Sequence, residues 1–147
     1  MPYSQYLATR ILNWHRGVAN GVAGSNPGMP AAPSTIYISV HSADPGPLGT
    51  ANDVTNIVAT ARGSIPAANW SVPTEAPPPA TGFQMSNTAA VTISGSAPGT
   101  ATVSYFGCWD AAVGGNFLEY GPLANPLTIA VGDIVRFSTG QLVLRKV

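Results

Sequence analysis

With 147 residues the chain has the length of one domain, enough to bury about two thirds of the surface that its unfolded form exposes. Only 8% of it is charged, six basic against six acidic side chains, where an ordinary soluble domain carries about 25%. The absence of a positive patch excludes a nucleic-acid partner, and three Trp, five Tyr and four Phe exclude a disordered chain. A surface so thinly charged, with a net charge of zero, predicts a protomer whose faces are covered by neighbours. One cysteine, Cys108, rules out an intrachain disulfide and a cysteine-ligated zinc site. No stretch reaches 18 apolar residues and the opening residues carry no secretory pattern, so neither a membrane partner nor export is expected.

The first predicted element is a helix over residues 1–18. Tyr3, Leu7, Ile11, Trp14 and Val18 recur at helical spacing with Tyr6 beside them, Ser4 is placed to cap the start, and Gly17 to stop it. Residues 19–34 are rich in Gly and Pro, lack either period, and read as an arm. Ile36, Ile38 and Val40 then alternate with Tyr37, Ser39 and His41, the two-residue period of a half-buried strand, and Asp44-Pro45-Gly46-Pro47 is a turn. A weakly patterned second strand is expected over 56–64. Residues 71–82, with Pro73 and Pro77 to Pro79, read as an extended loop that no central strand can occupy.

Short strands follow near 83–86, 89–94, 100–109, 116–121, 127–131, 134–138 and 142–146. Turn chemistry separates them at Pro98-Gly99, Gly114-Gly115, Asn125-Pro126, Gly132-Asp133 and Thr139-Gly140. This rhythm, without alternating helices, predicts a mainly β fold: an antiparallel β-sandwich of jelly-roll type with one N-terminal helix, two irregular arms, and a body over 35–147. No repeat or heptad run offers a fibrous shaft.

Catalytic material is sparse. His41 stands three residues before Asp44, a pair able to orient a base or join a metal site, but no third ligand has suitable spacing. Cys108 lacks a neighbouring base to generate a thiolate and reads as core, as does Trp109. Asp110 and Glu119 are placed to face each other across a hairpin, where paired carboxylates do acid–base work on sugars; two solvated rim residues explain them more simply. No catalytic residue, cofactor or metal is therefore expected.

Three stretches carry a resemblance: Tyr37-Ile-Ser-Val-His-Ser-Ala-Asp-Pro-Gly with Gly49-Thr-Ala-Asn-Asp-Val54; Phe106-Gly-Cys-Trp-Asp-Ala-Ala-Val-Gly-Gly-Asn-Phe-Leu118; and Val131-Gly-Asp-Ile-Val-Arg-Phe137 leading to Leu142-Val-Leu144. In this order they resemble small virion proteins of tailed bacteriophages, the family often labelled phage tail fibre proteins. The resemblance implies a non-enzymatic structural protein of the virion with a β-sandwich body. The sparse charge then favours a capsid decoration or cement subunit, expected as a homotrimer partnered by its own copies and the major capsid protein. The alternative is a tail-fibre or tail-tip subunit partnered by tail proteins and the host, with loops 44–50 and 110–116 as its contacts; a carbohydrate-binding module is the more distant one. Tyr3, Tyr6, Trp14, Met29 and Pro30 are the expected assembly contacts, since Trp and Tyr anchor interfaces.

Overall fold

The structure is a computed structural model, and it describes residues 4–7, 12 and 33–146. Among the described residues the body contains nine strands. The first, β1 (Thr35–His41), is built of β-branched and aromatic residues and buries Ile38 and Val40 completely. It lies between β2 (Gly63–Pro66) and β6 (Ala101–Trp109), and β7 (Phe117–Ile129) closes the far edge, giving the antiparallel order β2-β1-β6-β7. A second sheet has the order β3-β4-β9, from Thr74–Glu75, Phe83–Ser86 and Val143–Lys146. The third pairs β5 (Val91–Thr92) with β8 (Arg136–Phe137). The pairing of β4 with β9 encloses that of β5 with β8, the nested return expected of a rolled sandwich.

Ile38, Val40, Phe106 and Cys108 point from the four-stranded sheet into the core, where they meet Ile93, Val135, Phe137, Leu142 and Leu144. Asn87 ties the polar backbone into this core. Its amide donates to the carbonyls of Ala89 and Ser138, and its own oxygen accepts from Leu142 N–H at 2.9 Å. An apolar residue there would leave three backbone groups without that partner.

Three expected elements are corrected. The strand expected over 56–64 is a one-turn helix, Thr55–Val58, followed by β2. The Asp53 carboxylate accepts from Thr55 N–H at 2.8 Å and holds the chain in a turn before the helix begins. The break expected at Asn125-Pro126 does not end a strand, because β7 runs unbroken through Pro122 and Pro126. As the edge strand of its sheet β7 has only one paired side, so prolines are tolerated, and the strain is taken up by a register shift between Val103 and Tyr105. The Pro-rich 71–82 segment is not extended throughout: its two-residue strand β3 sits at a sheet edge, and residues 76–82 turn the chain back to pair with β4, closed by Ala80 N–H on the Pro77 carbonyl and Ala76 N–H on the Gly82 carbonyl.

Candidate functional site

The alternation that sends Ile38 and Val40 into the core sends Ser39 and His41 to the opposite face of the sheet. That face is not open: Ser39 and His41 are fully buried there. The segments 42–53 and 110–116 fold over it, and their cover is a relay of hydrogen bonds. Trp109 Nε1–H donates to Ser39 Oγ at 2.9 Å. Ser39 donates its own proton to His41 Nε2 at 2.8 Å. His41 Nδ1–H ends the relay on the carbonyl of Ala51 at 2.9 Å. A carbonyl only accepts, so the relay fixes the neutral tautomer with its proton on Nδ1. Burial pushes the His41 pKa below its ordinary value, against the opposing pull of the Ala51 carbonyl and Asp53.

Aromatic rings complete the covered face. Phe117 packs on Trp109 with centroids 4.8 Å apart and stacks on Tyr120 at 5.8 Å. Close approach requires glycine at two positions. A Cβ on Gly49, where φ is +70°, would stand 2.5 Å from the Phe117 ring, and one on Gly107 would stand 2.7 Å from Ser39 Oγ. Arg62 lies over Trp109, its guanidinium carbon 3.8 Å from the ring centroid, and its Nη1 donates to the carbonyls of Ala111 and Gly114 at 2.8 Å each. Asp110 secures the other end of that loop by accepting from the backbone and side-chain nitrogens of Asn116 at 2.7 and 2.8 Å. The two loops are thus held from beneath while their tips face water: Leu48 is 59% exposed and Val113 is 89% exposed.

The residues with chemical interest are tied into this construction. His41 is bridged to Asp53 across the strand pairing rather than to Asp44, whose carboxylate instead accepts from Gly46 N–H at 2.7 Å in the predicted turn. Asp110 and Glu119 do not face each other: Glu119 lies opposite Cys108, on the other face, where it forms an ion pair with Lys146, while Asp110 is held by Asn116. Burial pushes the Cys108 thiol well up, which keeps it protonated and a poor nucleophile. Among the described residues, no three His, Cys, Asp or Glu side chains gather as a metal site, and no helix is long and apolar enough to cross a membrane.

Of the expected assembly contacts, only Tyr6 is among the described residues; Tyr3, Trp14, Met29 and Pro30 lie outside them. Tyr6 is half-buried in the helical turn Gln5–Leu7, whose start Ser4 caps by accepting from Leu7 N–H at 3.1 Å. This turn is joined to the body by Ser4 N–H on the Leu118 carbonyl and Gln5 N–H on the Pro47 carbonyl. Sequence reasoning missed Ser39 and Arg62 as organising residues. The signal for Ser39 was present, a polar residue alternating with buried aliphatics, but its partner is 70 positions away.

The fold is a β-sandwich whose buried polar groups on the covered face are tied into its own hydrogen bonds. A profile of the family described as podophage GP4 fiber I protein gp80 matches residues 2–145, and the chain belongs to that family. The resemblance to tailed-phage fibre-type proteins read from three sequence stretches is therefore shown over nearly the whole chain. No curated protein sequence matches it.

Proposed function

We propose that the chain is a non-enzymatic structural subunit of a tailed-phage virion, and that within the particle it belongs to the tail fibre and contacts the host. The observation that carries the reading is the family match over residues 2–145, since the family is described by a fibre protein. The covered face supports a non-enzymatic role: its serine, histidine and arginine are spent on holding two loops, and a catalytic group needs access to substrate. Rigid loops ending in exposed Leu48 and Val113 suit contact with a partner, because little entropy remains to be lost on docking.

A capsid decoration subunit is the second reading, favoured by the sparse surface charge. Both readings include self-association, with a homotrimer as the expected form. Copy number per virion, measured by quantitative mass spectrometry against the major capsid protein, separates them. A few to a few dozen copies per particle support the fibre, and hundreds overturn it in favour of the capsid lattice. Native mass spectrometry of the purified chain tests the trimer.

A further inference from the structure

Between the two larger sheets the hydrophobic core reaches the surface in a recess of about 200 Å³. The four-stranded sheet supplies Ile36, Cys108 and Leu118 to it, the three-stranded sheet supplies Met85 and Leu144, and Trp70 comes from the segment that joins them. Cys108 and Leu144 belong to the buried core, while Ile36, Trp70, Met85 and Leu118 are only partly buried against it. Glu119 also borders the recess, and its charge is committed to the ion pair with Lys146.

Size limits what fits. A cavity of about 150 Å³ holds a benzene ring, whereas small-ligand sites run from about 300 to 1,000 Å³. An α-helix is about 10–12 Å across. The recess is therefore matched to one or two apolar side chains carried by an extended segment.

The chain supplies such a segment. Pro33 lines the recess, so the arm over residues 19–32, which lies outside the described residues, joins the body at its edge. Residues 19–34 contain no Asp, Glu, Lys or Arg. Pro27, Pro30 and Pro33 recur every three residues, the period of a polyproline II helix. Segments with this spacing dock in aromatic-lined grooves because their backbone is set before binding, and Trp70 gives the recess an aromatic wall. A residue before proline is biased to extended backbone. Asn26, Met29 and Ala32 each precede one, which opposes the reversal an arm would need to seat Met29 in the recess that its own Pro33 borders.

We propose that this recess receives the arm of a second copy of the chain, with Met29 and Pro30 seated against Trp70 and Met85. Each copy then gives one arm and receives one, an exchange of identical elements that closes on itself in a symmetric ring such as a trimer. The inference rests on the self-association proposed above and names its contact.

The test is native mass spectrometry of the purified full chain and two variants, with circular dichroism as the check on folding. Ala67 also lines the recess, and Ala67→Phe fills it. Met29→Asp puts on the arm a charge that an apolar recess rejects. Each variant should raise the concentration at which the oligomer dissociates by about tenfold or more, with Tyr6 and Trp14 unaltered in both. The two variants mixed should form a pair of one copy each where neither associates alone, since one keeps its arm and the other its recess. Ala67→Met takes the place of Ala67→Phe if that variant does not fold. A wild-type chain that is monomeric at micromolar concentration overturns both the inference and the self-association. An oligomer that either variant leaves unchanged overturns the inference alone. Loss of the oligomer in each variant without a mixed pair means that each arm fills its own recess, and overturns it too.

Discussion

Two polar regions of this molecule stand on either side of one strand pair, and they treat hydrogen-bonding groups in opposite ways. Beneath loops 42–53 and 110–116, Ser39, His41 and Trp109 form a buried relay that ends on a backbone carbonyl. Along β7, Gln84 Oε1 accepts from Arg145 and Gln141 Oε1 accepts from the Ser138 backbone N–H, beside an open groove. A buried polar group must be paired or it destabilises the fold, so the relay is locked into architecture. An exposed donor has water as its partner and can exchange it for a ligand at little cost to stability. The difference is that the first region is committed to construction while the second stays open to solvent.

Breaking the relay should have the largest effects. Trp109→Ala removes a buried ring that Phe117 and Arg62 both pack against, with an expected loss of about 3–5 kcal/mol measured by chemical denaturation. Ser39→Ala keeps the packing but strands Trp109 Nε1–H and His41 Nε2; the expected loss is about 1–3 kcal/mol for each group left without a partner. A loss below about 0.5 kcal/mol in Ser39→Ala would show that the relay does not contribute to stability.

A pH series sharpens the same side of the comparison. The folded-state pKa of His41 is depressed, so the unfolded chain takes up its proton first as the medium is acidified. The stability that the neutral imidazole contributes is fully present above the unfolded value of about 6.5 and is lost as pH falls from there through the depressed folded value. Denaturation midpoints from pH 8 to pH 5 should follow that decline, and His41→Asn should remove the part of it that begins near 6.5. A midpoint that stays level across this interval in the wild type would sink the assignment.

Smaller effects are expected where a side chain holds only a loop. Arg62→Ala should leave the sheets intact and speed amide exchange across 110–116, because both carbonyl contacts to that loop are lost. Unchanged exchange would mean that Asp110 and Asn116 hold the loop alone. On the groove side, Arg145→Gln should alter stability by no more than about 0.5 kcal/mol, measured by chemical denaturation. A large stability loss there would mean that the groove belongs to construction as well. At the N terminus, deleting residues 1–18 should leave a folded β domain that no longer self-associates, checked by circular dichroism and native mass spectrometry.

Much of the body was legible from residue order. The strand over Thr35–His41 follows from strict alternation, β4 was predicted over the residues it occupies, and the Ser4 cap forms as its position suggested. The region after Asp53 was not, because its weak pattern fits strand and helix alike and a single carboxylate on the Thr55 amide tips it into a turn. The unbroken β7 was illegible for another reason. A proline forbids a strand only where both sides are paired, and sequence does not reveal that a strand is an edge.

By itself the sequence determined a mainly β sandwich with few charges, its principal turns, and its kinship with phage fibre-type proteins, since these depend on local periods, turn residues and motif order. Tertiary structure alone decided that Ser39 meets Trp109, that Asp110 turns to Asn116 rather than Glu119, and that two glutamines and an arginine converge on one groove. Each of these contacts joins residues on separate strands or selects among several possible partners. Which partner wins is fixed by strand order and register, quantities that arise only when the sheets pair and pack.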